Sequence, residues 1–186
     1  VKKRITKVTT KTGDDGLTGM ADGTRVSKSD PVIDAIGDID ELNSLIGYLS
    51  SMIHADNYKN TLVSLQNSLF DIGGSLSLGT MDSVSNEEIL LVEKVIEDLN
   101  SQLPELENFV LPGGEPAAAF TQYVRSVCRR CERTLVKLNN HSKVEENKLI
   151  YLNRLSDLFF VIARSINKDQ NVEELLWNQD QSKFDK

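Results

Sequence analysis

The sequence is poor in cysteine, proline and basic charge, and it has no long apolar run. Only Cys128 and Cys131 occur, which excludes a disulfide framework and makes a reducing compartment, most simply the cytoplasm, the expected address. The longest uninterrupted apolar stretch, 158–163, has six residues, where a membrane span needs about 20 and a signal-peptide core about 7–15. Neither a membrane segment nor a secretion signal is expected. Lys and Arg number 21 against 28 Asp and Glu, a formal net charge of −7. Extended binding of nucleic acid needs a basic face to neutralise phosphates, so that class is set aside. The basic residues are unevenly spread: Lys2, Lys3, Arg4, Lys7, Lys11, Arg25 and Lys28 outnumber Asp14, Asp15 and Asp22 in the first 28 positions. A small anion could be drawn there, although a solvated basic tail explains the same pattern.

What is present is one globular domain, 1–186, with 1–9 and 173–186 expected to be flexible ends. At 186 residues a single core suffices, since chains of about 150 residues bury roughly 68–70% of the surface they expose when unfolded. The four prolines, Pro31, Pro104, Pro112 and Pro116, stand at the edges of periodic segments and leave the interiors free of breakers. Apolar residues recur at helical spacing from Pro31 to about Ile53, with Asp30 as the natural N-cap. A second stripe runs through Leu62, Val63, Leu65, Leu69, Phe70, Ile72 and Leu76 to Gly79. A third follows the capping-box pattern Ser85-Asn86-Glu87-Glu88 and continues to Leu99. Pro116 opens a fourth, through Phe120, Val124, Val127, Cys128, Cys131, Leu135 and Leu138. The fifth covers about 145–167. Strand-like alternation is nearly absent, so the expected fold is all-α, a five-helix up-and-down bundle.

Several groupings could carry chemistry. Thr10-Lys11-Thr12-Gly13-Asp14-Asp15-Gly16-Leu17-Thr18-Gly19 places glycines and threonines beside the basic cluster. Such a loop can turn backbone N–H groups toward a phosphate. It lacks the Gly-Lys-Ser/Thr ending of a P-loop, and a flexible glycine turn accounts for it equally well. Arg125, Arg129 and Arg133 are four apart and share one helix face, where each like-charge neighbour costs about 0.2–0.5 kcal/mol in an isolated helix. An anion should offset that repulsion: carboxylates such as Asp38, Asp40 and Glu41, or a ligand's phosphates, unless the face is simply solvated. Asn153, Arg154, Ser156 and Asp157 interrupt the fifth apolar helix, as members of a buried network or of a site. Cys128-Arg129-Arg130-Cys131 has the C-x-x-C spacing. With no second pair and no preceding strand, and with both cysteines on the core stripe, the two read as buried thiols rather than a redox or zinc site.

Taken together, the motifs TKTGDDGLTG (10–19), Lys28 in SKSDP, GDIDELNSLIG (37–47), FVLPGG (109–114), RSVCRRCER (125–133) and NRLSDLFF (153–160) resemble the PduO-type ATP:cob(I)alamin adenosyltransferases, in that family's order. The resemblance implies a homotrimer of five-helix subunits that moves the 5′-deoxyadenosyl group of ATP to the cobalt of reduced cobalamin, with Mg²⁺, and releases triphosphate. It implies nucleotide contacts from residues 10–19, Lys28, Arg129, Arg130, Glu132, Arg133 and Asn153. It also implies a pair between Asp40 and Arg125 across subunits beside the corrinoid, with Phe109 against the lower face of the cobalt. No protein side chain is assigned to a metal. Such an activity implies a reductase and an adenosylcobalamin-dependent enzyme as partners. The alternative is a non-catalytic nucleotide-binding helical module, which would have no use for Phe109, Asp40 and Arg125 together.

Overall fold

A computed structural model describes residues 9, 11–80 and 83–178. Five helices make up most of it: α1 (Pro31–Met52), α2 (Asp56–Leu78), α3 (Asn86–Asn100), α4 (Pro116–Asn139) and α5 (Glu146–Asp169). Their ends obey the local chemistry read from the sequence. The Asp30 carboxylate accepts from the Val32 N–H at 3.0 Å, ahead of Pro31 in the first turn of α1. Ser85 and Glu88 form a reciprocal capping box at α3, satisfying two amides that the helix itself cannot. α2 stops where Gly79 takes a left-handed φ of 65° and the Thr80 N–H returns to the Ser75 carbonyl at 3.0 Å.

α4 packs along both α5 and α1, α1 along α2, and α3 against α5. The core is continuous, from Leu42 and Ile46 of α1 through Leu62 and Leu69 of α2 to Cys128 and Leu135 of α4 and Leu155 and Phe159 of α5. In α2, two residues counted with the apolar stripe face outward, Val63 and Phe70, the latter 69% exposed. They follow the core residues Leu62 and Leu69 by one position, and a helix turns about 100° in that step. α2 also begins at Asp56, ahead of Leu62, the first residue of the stripe.

Two features depart from a purely helical expectation. β1 (Leu17–Gly19) and β2 (Arg25–Ser27) form an antiparallel hairpin with Thr18 opposite Val26. Three-residue strands are too short for alternation to reveal them. The hairpin is fastened to the end of α2 by the Ala21 N–H, which reaches the Ser77 carbonyl at 3.1 Å and its hydroxyl at 2.9 Å. The second departure is at the far end of the chain. Residues 173–177, expected to belong to a loose terminus, are docked: Leu176 bridges antiparallel to Val110, and the Leu111 N–H donates to the Leu175 carbonyl at 2.8 Å. Residues 1–8 and 179–186 of the expected flexible ends lie outside the described residues.

Candidate functional site

The site residues fall in three regions, two of which adjoin along α4 and α5, while the third, the N-terminal loop with Lys28, is fastened to the end of α2. The first is a cleft of about 920 Å³ between α3, α4, α5 and the 101–115 loop, lined among others by Phe109, Val110, Arg125, Asp157, Phe160 and Ile96. Phe109 is 77% exposed, so most of its ring is open to solvent although its loop is ordered. Its backbone is firmly held. The Asn108 side chain accepts from the Phe109 N–H at 2.8 Å, and the Phe109 carbonyl accepts from the Trp177 N–H at 2.7 Å. Across the cleft the Arg125 guanidinium lies 5.5 Å from the centroid of the Phe160 ring.

The loop carrying Phe109 is fixed from below by Asn167. Its Oδ1 accepts from the Glu115 N–H at 2.9 Å and its Nδ2 donates to the Gly113 carbonyl at 3.3 Å. Gly114 has φ 95°, and the amide of Asn167 occupies the space a Cβ there would need. Gly114→Ala is therefore expected to cost about 1–3 kcal/mol through backbone strain alone, and more with the displaced Asn167. Thermal unfolding of the variant, compared with Gly113→Ala, which has open space around it, checks this.

The second region is the polar face of α4 and α5. Asn153 donates to Glu132 at 3.1 Å and accepts from Arg154 at 3.1 Å, and Arg154 pairs with Glu93 at 2.6 Å. Arg129 and Arg133 are exposed, and the Arg133 guanidinium folds back onto the Arg129 carbonyl at 3.0 Å. Two of the three carboxylates expected opposite the arginine face are taken by its neighbour: Arg130 pairs with Glu41 and, at 3.6 Å, with Asp38, while Asp40 is left out. Arg130 sits about 100° around the helix from Arg129, which turns it toward α1. Asp40, Arg125 and Arg129 form no ion pair among the described residues.

In the N-terminal loop, Gly16 has φ 80° and its carbonyl accepts from the Lys28 N–H at 2.9 Å. The Lys28 ammonium donates to the Gly13 carbonyl at 2.7 Å, and Arg25 pairs with Asp15 at 3.2 Å. Lys28 thus stands against the loop whose N–H groups the sequence offers to phosphate. Lys11, Thr12, Asp14, Leu17, Thr18 and Gly19 belong to the same loop and strand, while Thr10 lies outside the described residues.

Cys128 and Cys131 are buried free thiols. Burial pushes the Cys128 thiol well above its ordinary range, and pushes Cys131 up to about 12 with Asp38 adding to the shift. The thiolate that nucleophilic or metal chemistry requires is disfavoured at both. The Cys128 thiol instead lies 3.3 Å from the Leu152 carbonyl, joining α4 to α5.

Sequence reasoning missed Trp177, Arg164 and Asn167. The last two continue Asn153, Asp157 and Phe160 along one face of α5 at alternating spacings of four and three. That periodicity was the available signal.

With this geometry in place, comparison with known proteins is specific. The profile of the cobalamin adenosyltransferase family matches residues 8–166. A cobalamin adenosyltransferase of Cupriavidus metallidurans is 41% identical over 178 residues, covering 95% of this chain and 97% of its own. A corrinoid adenosyltransferase of Bacillus subtilis is 37% identical, with 91% of each chain covered. Among solved structures, a variant PduO-type ATP:corrinoid adenosyltransferase from Lactobacillus reuteri, complexed with cobalamin and ATP, superposes with a TM-score of 0.88 at 32% identity, covering 93% of this chain and 97% of that one. Another variant of that enzyme, complexed with ATP, gives 0.87, again at 32% identity, with 92% and 100% covered. The chain belongs to the cobalamin adenosyltransferase family.

Proposed function

We propose that this chain transfers the 5′-deoxyadenosyl group of ATP to the cobalt of cob(I)alamin, forming a Co–C5′ bond, breaking the C5′–O bond and releasing triphosphate. The observation that carries the reading is the adjacency of an apolar-walled cleft, with Phe109 and Arg125 on it, to an arginine face, Arg129 and Arg133, that has no carboxylate partner among the described residues. Co(I) is a strong nucleophile, so no general base is needed. The protein has to align C5′ with the metal and stabilise the charge of the leaving triphosphate. Arg129 and Arg133 supply guanidiniums for that charge, Lys28 an ammonium, and residues 13–19 backbone N–H groups. Glu132 and Asn153 hold each other in place beside them. Arg130, engaged with α1, supports the same face from behind.

Among the described residues no three His, Cys, Asp or Glu side chains cluster so as to hold a metal ion. In this reading Mg²⁺ would accompany the triphosphate and neutralise part of its charge, and no step is routed through a protein-bound ion. No described helix is long and apolar enough to cross a membrane. Two free thiols suit a reducing cytoplasm. A reductase for Co(II) and an adenosylcobalamin-dependent enzyme are the partners this reaction calls for.

The site needs a second chain. Asp40 is exposed on α1 and Arg125 half-buried on α4, and neither makes an ion pair among the described residues. The same two helices carry Tyr48 and Tyr123, 59% and 50% exposed, with Phe120 between them at 4.9 and 5.9 Å. A homotrimer pairing Asp40 with Arg125 of the next subunit would cover both. Sedimentation is expected to find three chains per particle. Asp40→Ala and Arg125→Ala should each lose activity and regain part of it when co-expressed, because one kind of mixed interface restores the pair. An active monomer, or absence of complementation, would count against the trimer.

The activity is tested by anaerobic incubation with ATP and chemically reduced cobalamin, followed by visible absorption. The expected result is conversion to the adenosylcobalamin spectrum with one triphosphate per turnover. ATP binding without spectral change would leave the nucleotide-binding module as the reading.

A further inference from the structure

We propose that Arg164 is a positioning residue for the corrinoid side of the site, acting through the C-terminal segment that carries Trp177. The proposal rests on the reading of Phe109 as a corrinoid contact. Arg164 is 3% exposed and joins three parts of the chain. Its Nε donates to the Glu174 carboxylate at 3.0 and 3.2 Å, and its Nη2 to the Pro104 carbonyl at 2.8 Å. Its guanidinium carbon lies 5.9 Å from the centroid of the Phe160 ring, the ring that Arg125 meets from the cleft. One side chain thus links α5, the start of the 101–115 loop and the segment beyond α5.

Glu174 is three residues from Trp177, a reach of about 10 Å of extended chain, so anchoring one restrains the other. Between them lie the bonds that hold the Phe109 edge: Leu111 N–H to Leu175 carbonyl at 2.8 Å and Trp177 N–H to Phe109 carbonyl at 2.7 Å. Asn108 adds a bond to the Trp177 carbonyl at 2.6 Å, and the Phe109 and Trp177 rings meet edge to face at 6.3 Å. A two-stranded pairing this short is marginal in water without packing or an anchor. The buried ion pair provides the anchor, and breaking one side of it leaves a buried charge uncompensated. Arg164 therefore fixes where Phe109 stands at the mouth of the cleft without touching the substrate.

Trp177 is the only tryptophan, so its fluorescence reports the docking of this segment independently of turnover. Glu174→Gln and Arg164→Lys are to be made in the full chain; the first lies outside the helices and spares the bundle if the second does not fold. With helical circular dichroism unchanged, both are expected to shift Trp177 emission to the red and about double its quenching by acrylamide. The KM for cob(I)alamin should rise about tenfold, the scale of one charge-assisted hydrogen bond, while the KM for ATP stays within about twofold. Arg164→Lys should lose less than Arg164→Gln, since the ammonium keeps the charge and loses only the fork.

Unchanged quenching in Glu174→Gln would overturn the anchor. A red-shifted emission with an unchanged corrinoid KM, or an equal rise in both KM values, would overturn the positioning role. Phe109→Ala in the same assay separates this from the underlying reading. If that variant handles the corrinoid normally, the Phe109 assignment fails, whereas the Trp177 signal still decides whether Arg164 anchors the segment.

Discussion

Arg129→Ala is expected to lower kcat/KM for ATP by about ten- to a hundredfold, equivalent to about 1.5–3 kcal/mol for a hydrogen bond to a charged group. The fold should survive, because Arg129 is exposed and makes no ion pair among the described residues. Its neighbour Arg130 already satisfies Asp38 and Glu41, so those carboxylates cannot explain why two more arginines share the face. Arg133, one turn on, spends one donor on the Arg129 carbonyl and leaves the rest of its guanidinium outward. Like charges left this close favour an anionic ligand, and a triphosphate is matched by the planar fork. Arg129→Lys should recover only part of the loss. The check is steady-state kinetics in ATP at saturating cob(I)alamin, with direct ATP titration alongside. Unchanged kinetics for Arg129→Ala would return the face to solvent.

The sequence carries the bundle because helices are specified by local signals. Asp30, the Ser85/Glu88 box, Gly79 and Pro116 act within a few residues of themselves, and the apolar stripes fix which face of each helix turns inward. Val63 and Phe70 misled the reading because adjacent apolar residues on a helix cannot both face one core. The hairpin at 17–27 was hidden by its brevity, and by glycines that equally suit a loop.

Within the site, chemistry-bearing residues were legible and their supports were not. Phe109, Arg125, Arg129 and Asn153 stand in motifs whose composition is odd for a helix face or a loop. Which arginine of the consecutive pair meets α1 depends on the rotation of α4 against its neighbour, and no local signal encodes that. Arg164 follows a six-residue apolar run and reads as an interruption until Glu174 and Pro104 are brought to it, the latter from 60 residues away. The bridge at Leu176, flanked by the backbone bonds of Leu175 and Trp177, is equally non-local, being defined by a partner near residue 110.

Phe109→Ala is expected to leave ATP affinity nearly intact while sharply lowering turnover whenever Co(II) must be reduced on the enzyme. Because the side chain is 77% exposed, its truncation removes little buried area, and large stability losses come from buried groups. The fold should therefore hold, leaving the functional effect to be read by itself. On the proposed reading the ring fills the position a lower axial ligand would take, which keeps water and the nucleotide tail of cobalamin off the cobalt. A four-coordinate Co(II) is easier to reduce than one with a lower ligand, so losing the ring should return that ligand and slow the reduction. Supplying preformed Co(I) bypasses the step and should rescue much of the turnover, which a merely distorted site would not allow. Parallel ATP titration, Co(II) spectroscopy and turnover from each cobalt state make the comparison. If ATP binding fell as far as turnover, or if the four-coordinate Co(II) signal persisted in the variant, Phe109 would be a packing residue beside Trp177 and the reducing step would need another source.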